Sequence, residues 1–202
     1  GTDSWGDVFA SETKGRVIRY STTPKSVTTA QDTYPCGGWL DDQGKGWVSL
    51  PTELFPNFAT NAAGKSQPQL VLDSLLVPGI HSKQNALMAA LVLALIQVPP
   101  QKIQSVLSQW PGIPHRLEYF HRWHVQLKDS KTSLEYRFYN DTAATVPEAS
   151  TAAAQAFPIP VQLICGGTDK ELDFTDFVQK IKENPPANIH LLPGTATNKL
   201  VP

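Results

Sequence analysis

The feature that most constrains the fold of this 202-residue chain is an alternation of strand-like and helix-like segments in its C-terminal part. Strand patterns occupy residues 136–139, 161–165 and 189–192, and helix patterns occupy residues 147–156 and 174–182. The first of these helices opens with proline, which is tolerated in a first helical turn. Strands that alternate with helices predict an α/β fold with a parallel, Rossmann-like sheet.

The N-terminal part has a different pattern, rich in short strands and turns. Residues 17–20 and 70–77 have strand patterns, and residues 39–40 and 47–50 flank the polar stretch 41–46. Two strand patterns around such a stretch predict a hairpin. A second hairpin is predicted from residues 117–127 and 134–139.

Between these parts, a helix is predicted over residues 83–97, with Ser82 as its N-cap. Residues 86–96 are apolar on all sides, which predicts a buried core helix. That run is shorter than the roughly 20 residues that a membrane span requires. Another helix is predicted over residues 101–110. The proline-rich segment 111–114 then reads as a linker, so we expect two domains, residues 1–113 and 114–202.

Composition narrows the class of protein. The formal net charge of −1 gives no general attraction to nucleic acid or to an anionic membrane. The two cysteines, Cys36 and Cys165, have no spacing typical of a disulfide framework or a zinc site. We therefore expect a cytoplasmic protein, and we take it to be a monomer with small-molecule partners.

Two strand ends carry residue types that bind ligands in parallel sheets, where sites lie beyond the carboxyl ends of the strands. Residues 139–145 and 164–170 both combine small residues, an acid and a hydroxyl. Gly166 and Gly167 allow close backbone approach, and Lys170 offers a point charge to a carboxylate or phosphate. The alternative is a simple turn followed by a solvated surface lysine.

Two further positions are candidates. His81 and Asn85 are four residues apart and can share a helix face, where an Asn amide can both donate and accept at an adenine edge. Arg116 can clamp phosphates with its planar fork. The alternatives are that Asn85 satisfies a backbone group and that Arg116 forms an interdomain salt bridge.

A metal site is not expected from the histidines that cluster after the linker. Strand alternation places His121 and His124 on opposite faces. Neither they nor His115 have a ligand-like set of acids or cysteines around them in the sequence.

Taken in order, four motifs resemble those of one family, the Mur ligases of bacterial cell-wall synthesis. They are Gly79-x-His81-x-x-x-Asn85-Ala86, Gly112-Ile113-Pro114-His115-Arg116-Leu117-Glu118, Asn140-Asp141-Thr142-Ala143-Ala144-Thr145 and Gly166-Gly167-Thr168-Asp169-Lys170-x-x-Asp173-Phe174. Order and spacing agree over about residues 76–174. The last motif is most similar to that of the D-glutamate-adding members.

The resemblance implies the end of a central ATPase domain followed by a truncated, Rossmann-like C-terminal domain. It implies that His81, Asn85, Arg116 and Asp141 contact ATP, and that Thr145 and Lys170 hold D-glutamate. The implied reaction is ATP- and Mg²⁺-dependent addition of D-glutamate to UDP-N-acetylmuramoyl-L-alanine through an acyl phosphate. No residue is assigned as catalytic or as a metal ligand.

The sequence also departs from the family pattern. Ser82 replaces an asparagine, Ala143 a lysine and Val146 another asparagine, which leaves the added amino acid open. Residues 64–66 read Gly-Lys-Ser, but they lack the earlier glycine and the preceding strand of a phosphate loop. The alternatives are another Mur-type or folylpolyglutamate-type amide ligase, or a non-catalytic nucleotide-binding fragment. We expect these 202 residues alone to be inactive.

Overall fold

The computed structural model describes residues 5–21, 37–51, 54–55, 67–127 and 133–201. The chain divides into two compact units. One comprises Gly1–Leu76 with Ile80–Trp110, and the other comprises Val77–Gly79 with Pro111–Pro202. Cys36, the Gly-Lys-Ser sequence at 64–66 and most of the 128–133 connection lie outside the described residues.

In its described residues, the first unit combines a small mixed sheet with three helices. Its elements are α1 (Trp5–Glu12), β1 (Arg19–Ser21), β2 (Gly37–Leu40), β3 (Gly46–Ser49), β4 (Gln69–Leu72), α2 (Ile80–Leu95) and α3 (Pro100–Gln109). The strands lie in the order β1-β2-β3-β4, with β1 parallel to β2 and the other pairs antiparallel. The hairpin predicted around residues 41–46 is therefore confirmed.

One aspartate organises the turn of that hairpin. Asp41 Oδ1 accepts hydrogen bonds from the backbone N–H groups of Gln43 and Lys45, each at 2.9 Å. Its Oδ2 accepts from Trp47 Nε1, also at 2.9 Å. Burial by itself would raise the pKa of Asp41, but these hydrogen bonds outweigh burial and hold the pKa below its usual value.

The core of this unit lies between the sheet and the two later helices. Its buried side chains are Leu40, Val48, Leu50, Val71 and Leu72 from the sheet side, Ala86, Leu87, Ala90, Leu91 and Ala94 from α2, and Ile103 and Leu107 from α3. Glycine at position 46 allows α2 to lie close to the sheet. A Cβ on Gly46 would lie 3.2 Å from Leu87 Cδ1 and 2.8 Å from Leu72 Cβ.

Helix α2 corrects two predictions. It begins at Ile80, so Ser82 is a buried residue inside its first turn and not the N-cap. The apolar run is also not buried on all sides, because Val92 and Ile96 are 52% and 68% exposed. No helix in the described part of the chain is both long and apolar enough to cross a membrane.

The second unit contains a hairpin, a parallel strand pair and three helices. Its elements are β5 (Glu118–Gln126), β6 (Ser133–Asn140), α4 (Pro147–Ala154), β7 (Gln162–Gly166), α5 (Thr175–Glu183), β8 (Asn188–Leu192) and α6 (Thr197–Leu200). Helices α4 and α5 pack together, and their buried residues are Pro147, Thr151, Ala153, Phe177 and Ile181.

The parallel sheet predicted for this unit is present in part. Strands β7 and β8 pair in parallel, with Cys165 opposite Leu191. Residues 136–139 do not join that sheet in the described structure, because β6 pairs antiparallel with β5 along its whole length. A short connection makes such local pairing easy, since closing a short loop costs little conformational entropy. The fold is thus mixed α/β with parallel strands in two of its sheets.

We expect Leu87→Ala to lower the free energy of unfolding by about 2–5 kcal/mol, because it removes a fully buried side chain and leaves a cavity over the sheet. Val92→Ala on the exposed face of the same helix is the matched control, with an expected change within about 0.5 kcal/mol. Urea unfolding followed by circular dichroism measures both. Equal losses would contradict the assignment of Leu87 to the core.

Candidate functional site

The segment that follows the predicted linker is tied to the segment that follows β6 by a compact set of hydrogen bonds. The backbone oxygen of His115 accepts from Ala143 N at 2.9 Å. The Leu117 N–H donates to Asp141 Oδ1 at 3.0 Å. Asn140 Nδ2 lies 2.8 Å from His115 Nδ1. The structure therefore brings Arg116 and Asp141, two of the predicted ATP contacts, into one site.

This part of the backbone is strained. His115 and Leu117 have φ angles of 65° and 43°, on either side of Arg116. Left-handed backbone costs roughly 1–2 kcal/mol for a residue with a Cβ, so the surrounding hydrogen bonds must offset that cost. Leu117 is also buried, at 4% exposure, and its burial anchors the segment just after Arg116.

Two features of the structure require glycine at position 112, at the start of the same motif. Its φ is +100°, and a Cβ there would lie 2.7 Å from Val77 Cγ2. Ile113 and Arg116 then form an isolated antiparallel bridge, with the Arg116 N–H donating to Ile113 O at 3.1 Å. The motif thus forms a tight turn that ends at the start of β5.

The Asp141 carboxylate is held next to this turn by the hydrogen bond from Leu117. Besides that contact, the Asp141 backbone oxygen accepts from Ala144 N at 2.8 Å. Asn140 Oδ1 accepts from Thr142 N at 3.1 Å, which shapes the same turn one residue earlier. These bonds use the backbones of residues 142–144, so the replacement of the family lysine by Ala143 does not disturb them.

The loop after β7 is the second part of the candidate site. Gly166 has φ +119°, and a Cβ there would lie 2.7 Å from Leu192 O, so glycine is required. Gly167 has φ +111° but open space beside it. Its backbone oxygen accepts from Ala196 N at 2.9 Å, and Asp169 N donates to Thr195 Oγ1 at 2.8 Å. The loop therefore packs on residues 192–199.

Asp169 anchors the residue before the candidate lysine. It forms a salt bridge with Lys199, whose hydrogen bond lowers the pKa of the Asp169 carboxyl. Its Oδ1 also accepts from Leu172 N at 3.3 Å. Glu171 adopts a left-handed φ of 61° on the other side of Lys170. Lys170 is thus the exposed residue between two constrained neighbours.

The predicted binding side chains are mostly exposed. Asn85, Arg116, Thr145 and Lys170 are all exposed, and their side chains form no hydrogen bond or ion pair with other described residues. His81 is half-buried one helical turn before Asn85, as the spacing predicts. The described contacts join Leu117, the residue after Arg116, to Asp141, and they do not join Thr145 or Lys170 to either residue.

Three residues of the site were quoted in the motifs without a role. His115, Glu118 and Asn140 form the hydrogen-bonded frame around Arg116, and Glu118 Oε2 accepts from the His115 N–H at 2.8 Å. Their polar character in a short turn was visible in the sequence. The contact between His115 and Asn140 was not visible in the sequence, because the two residues are far apart in the chain.

The histidine and cysteine side chains show no metal-binding arrangement in the part of the chain that the structure describes. No group of three or more His, Cys, Asp or Glu residues there could hold a metal ion. His124 Nε2 lies 3.7 Å from Glu135 Oε2, while the His121 ring contacts Phe138. Cys165 is half-buried, and burial raises the pKa of its thiol, which keeps it protonated.

Comparison with known proteins gives a consistent result, although no family model matches the chain. It is 36% identical over 118 residues to the UDP-N-acetylmuramoylalanine–D-glutamate ligase of Shouchella clausii, covering 58% of this chain and 24% of that protein. The ligase of the same name from Parasynechococcus marenigrum is 30% identical over 176 residues, 87% of this chain and 32% of that protein. The one from Treponema pallidum is 41% identical over 102 residues, 50% of this chain and 17% of that protein.

The chain therefore spans about a quarter of the length of the curated relatives that it matches. Several independent relatives carry the same name, and their identities lie between 30% and 41%. This confirms the resemblance predicted from the four motifs: over most of its length the chain is similar to one part of the Mur ligases, and the relatives named here are D-glutamate-adding members.

Proposed function

We propose that this chain is part of an ATP-dependent amide ligase that adds D-glutamate to UDP-N-acetylmuramoyl-L-alanine in peptidoglycan synthesis. The observation that carries the proposal is the constrained turn that holds Arg116 beside Asp141, on a sequence similar to D-glutamate ligases. In this proposal, residues 1–113 are the end of the ATP-binding domain and residues 114–202 are the start of the amino-acid-binding domain.

The geometry around Arg116 suits a phosphate ligand. Its side chain is exposed and without a partner among the described residues, while its backbone is held on both sides. A guanidinium on a pre-ordered backbone loses less freedom when it binds a phosphate, and it can form two parallel hydrogen bonds. We assign Arg116 and Asp141 to ATP, and we assign Asn85 and His81 to its adenine side.

The loop after β7 suits a carboxylate ligand. Lys170 follows Asp169, whose own charge is already paired with Lys199. The Lys170 ammonium is therefore available for a ligand carboxylate, and Gly167 leaves open space beside the loop. We assign Lys170 and Thr145 to D-glutamate. Thr145 contributes a hydroxyl that can donate to or accept from that substrate.

The proposed reaction has two steps. The carboxylate of the UDP-linked substrate attacks the γ-phosphate of ATP, giving an acyl phosphate and ADP. The amine of D-glutamate then attacks the acyl carbon, phosphate leaves, and the amine loses a proton. The residues of this chain would orient the two substrates and stabilise phosphate charge, both of which lower the barrier.

Magnesium is expected to accompany ATP in such a reaction. The described residues include no cluster of acids and histidines that fits a metal ion. We therefore assign no residue of this chain to magnesium and no step of the reaction to a metal held here.

The proposal is tested by assaying the full-length gene product with ATP, UDP-N-acetylmuramoyl-L-alanine and a panel of amino acids. We expect phosphate release with D-glutamate and little with the others. Turnover with L-lysine or meso-diaminopimelate but not D-glutamate would move the protein to another Mur-type ligase. Turnover with a folate substrate and L-glutamate would indicate a folylpolyglutamate-type ligase.

Replacement of Lys170 by alanine tests the amino-acid site in the same assay. We expect the KM for D-glutamate to rise by about 10- to 100-fold, because a charged contact to a carboxylate is lost, and each tenfold corresponds to about 1.4 kcal/mol. Lys180→Ala, at an exposed position on α5, is the matched control and should leave KM unchanged. An unchanged KM in both variants would show that Lys170 is a surface lysine.

A non-catalytic nucleotide-binding fragment remains the second candidate for the 202 residues by themselves, because they contain no complete phosphate loop. We expect calorimetry on this chain to show weak binding of adenine nucleotides at best. No ATP hydrolysis is expected in a phosphate-release assay. Measurable hydrolysis by the 202 residues alone would contradict the reasoning from the phosphate loop.

A further inference from the structure

The Asn140 side chain makes two contacts beside the turn that carries Arg116. These contacts show which end of its amide is the oxygen and which is the nitrogen. Its Oδ1 accepts the Thr142 N–H at 3.1 Å. A backbone N–H is always a donor, so the group facing it must be the amide oxygen. The amide nitrogen therefore faces His115 Nδ1, at 2.8 Å.

This direction determines the state of the His115 ring. An amide NH₂ can only donate, so His115 Nδ1 must accept and must carry no proton. The ring proton of neutral His115 then lies on Nε2. Glu118 Oε2 lies 4.0 Å from the same Nδ1, which is beyond hydrogen-bond distance, and it accepts the backbone His115 N–H at 2.8 Å.

We propose that Asn140 is a positioning residue that holds His115 as the Nε2–H tautomer and thereby fixes the backbone that presents Arg116. This inference rests on the proposed ATP-binding role of Arg116. Asn140 acts through His115 and not by touching the ligand. His115 O also accepts from Ala143 N, and the His115 N–H donates to Glu118 Oε2. Together with these two bonds, the contact from Asn140 to the ring offsets the cost of left-handed backbone at residues 115 and 117.

Replacement of Asn140 by aspartate would reverse its contact with His115. In Asn140→Asp, the carboxylate can still accept the Thr142 N–H, but it can no longer donate to Nδ1. An oxygen facing the Nδ1 lone pair is repulsive, so the ring must take a proton on Nδ1. The shape of the side chain is unchanged, so the fold is kept while the contact is reversed.

The first experiment records nitrogen–proton correlation spectra of the histidine side chains in the 202-residue chain. His115 is assigned by comparison with His115→Gln. We expect an unprotonated Nδ1 in the wild type and a protonated Nδ1 in N140D. Asn188→Asp, at an exposed position in β8, is the control and should leave the His115 signals unchanged. A protonated Nδ1 in neutral wild-type His115, or unchanged signals in N140D, would overturn the tautomer assignment.

The second experiment measures KM for ATP and kcat in the full-length gene product. We expect N140D to raise the KM for ATP by about tenfold, the factor that 1.4 kcal/mol represents, with a smaller change in kcat. N188D should change neither. A reversed tautomer with unchanged KM would overturn the link to Arg116. A wild-type protein without ATP-dependent ligation would instead overturn the proposed function, while the spectra still decide the state of His115.

Discussion

The Asp141 carboxylate and the Leu117 N–H form the contact on which the second unit depends most directly. It joins the residue before β5 to the residue after β6, and so it closes the ends of the β5–β6 hairpin. A charged acceptor makes such a bond stronger than a neutral one. It holds Leu117 in a conformation that a leucine rarely adopts, with its side chain buried. Together with the bonds made by His115, this contact stabilises the turn that carries Arg116.

Left-handed backbone lies next to two of the proposed ligand residues in this unit. The left-handed residues 115 and 117 flank Arg116, and left-handed Glu171 follows Lys170. Each of these candidate ligand residues is exposed, while its neighbours are held by hydrogen bonds or burial. A binding side chain on a constrained backbone needs less ordering when a ligand arrives. The proposed roles of Arg116 and Lys170 are consistent with this arrangement, because the backbone on which each long side chain stands is already ordered.

Sequence patterns predicted the local elements well. The hairpin at residues 41–46 has a polar turn between apolar strands, and Asp41 provides the acceptors that such a turn requires. The four motifs also indicated the family resemblance, which the comparisons confirm. Two local predictions about α2 were wrong for tertiary reasons. Ser82 lies inside the helix because the helix starts earlier, at Ile80. The apolar run has an exposed face because the sheet and α3 cover only one side of it.

Local order, periodicity and motif identity were thus properties of the sequence alone, because each depends on residues close together in the chain. The hairpin of residues 117–127 with 134–139 was predicted, and the antiparallel pairing of β5 and β6 confirms it. The tertiary structure decided that β6 does not also join the parallel sheet of β7 and β8 in the described part of the chain, and it decided the contacts around Arg116. Likewise Asn140, His115 and Glu118 are ordinary polar residues in sequence. The role proposed for Asn140 follows from its hydrogen bond to His115, 25 residues away, whose distance and direction exist only after folding.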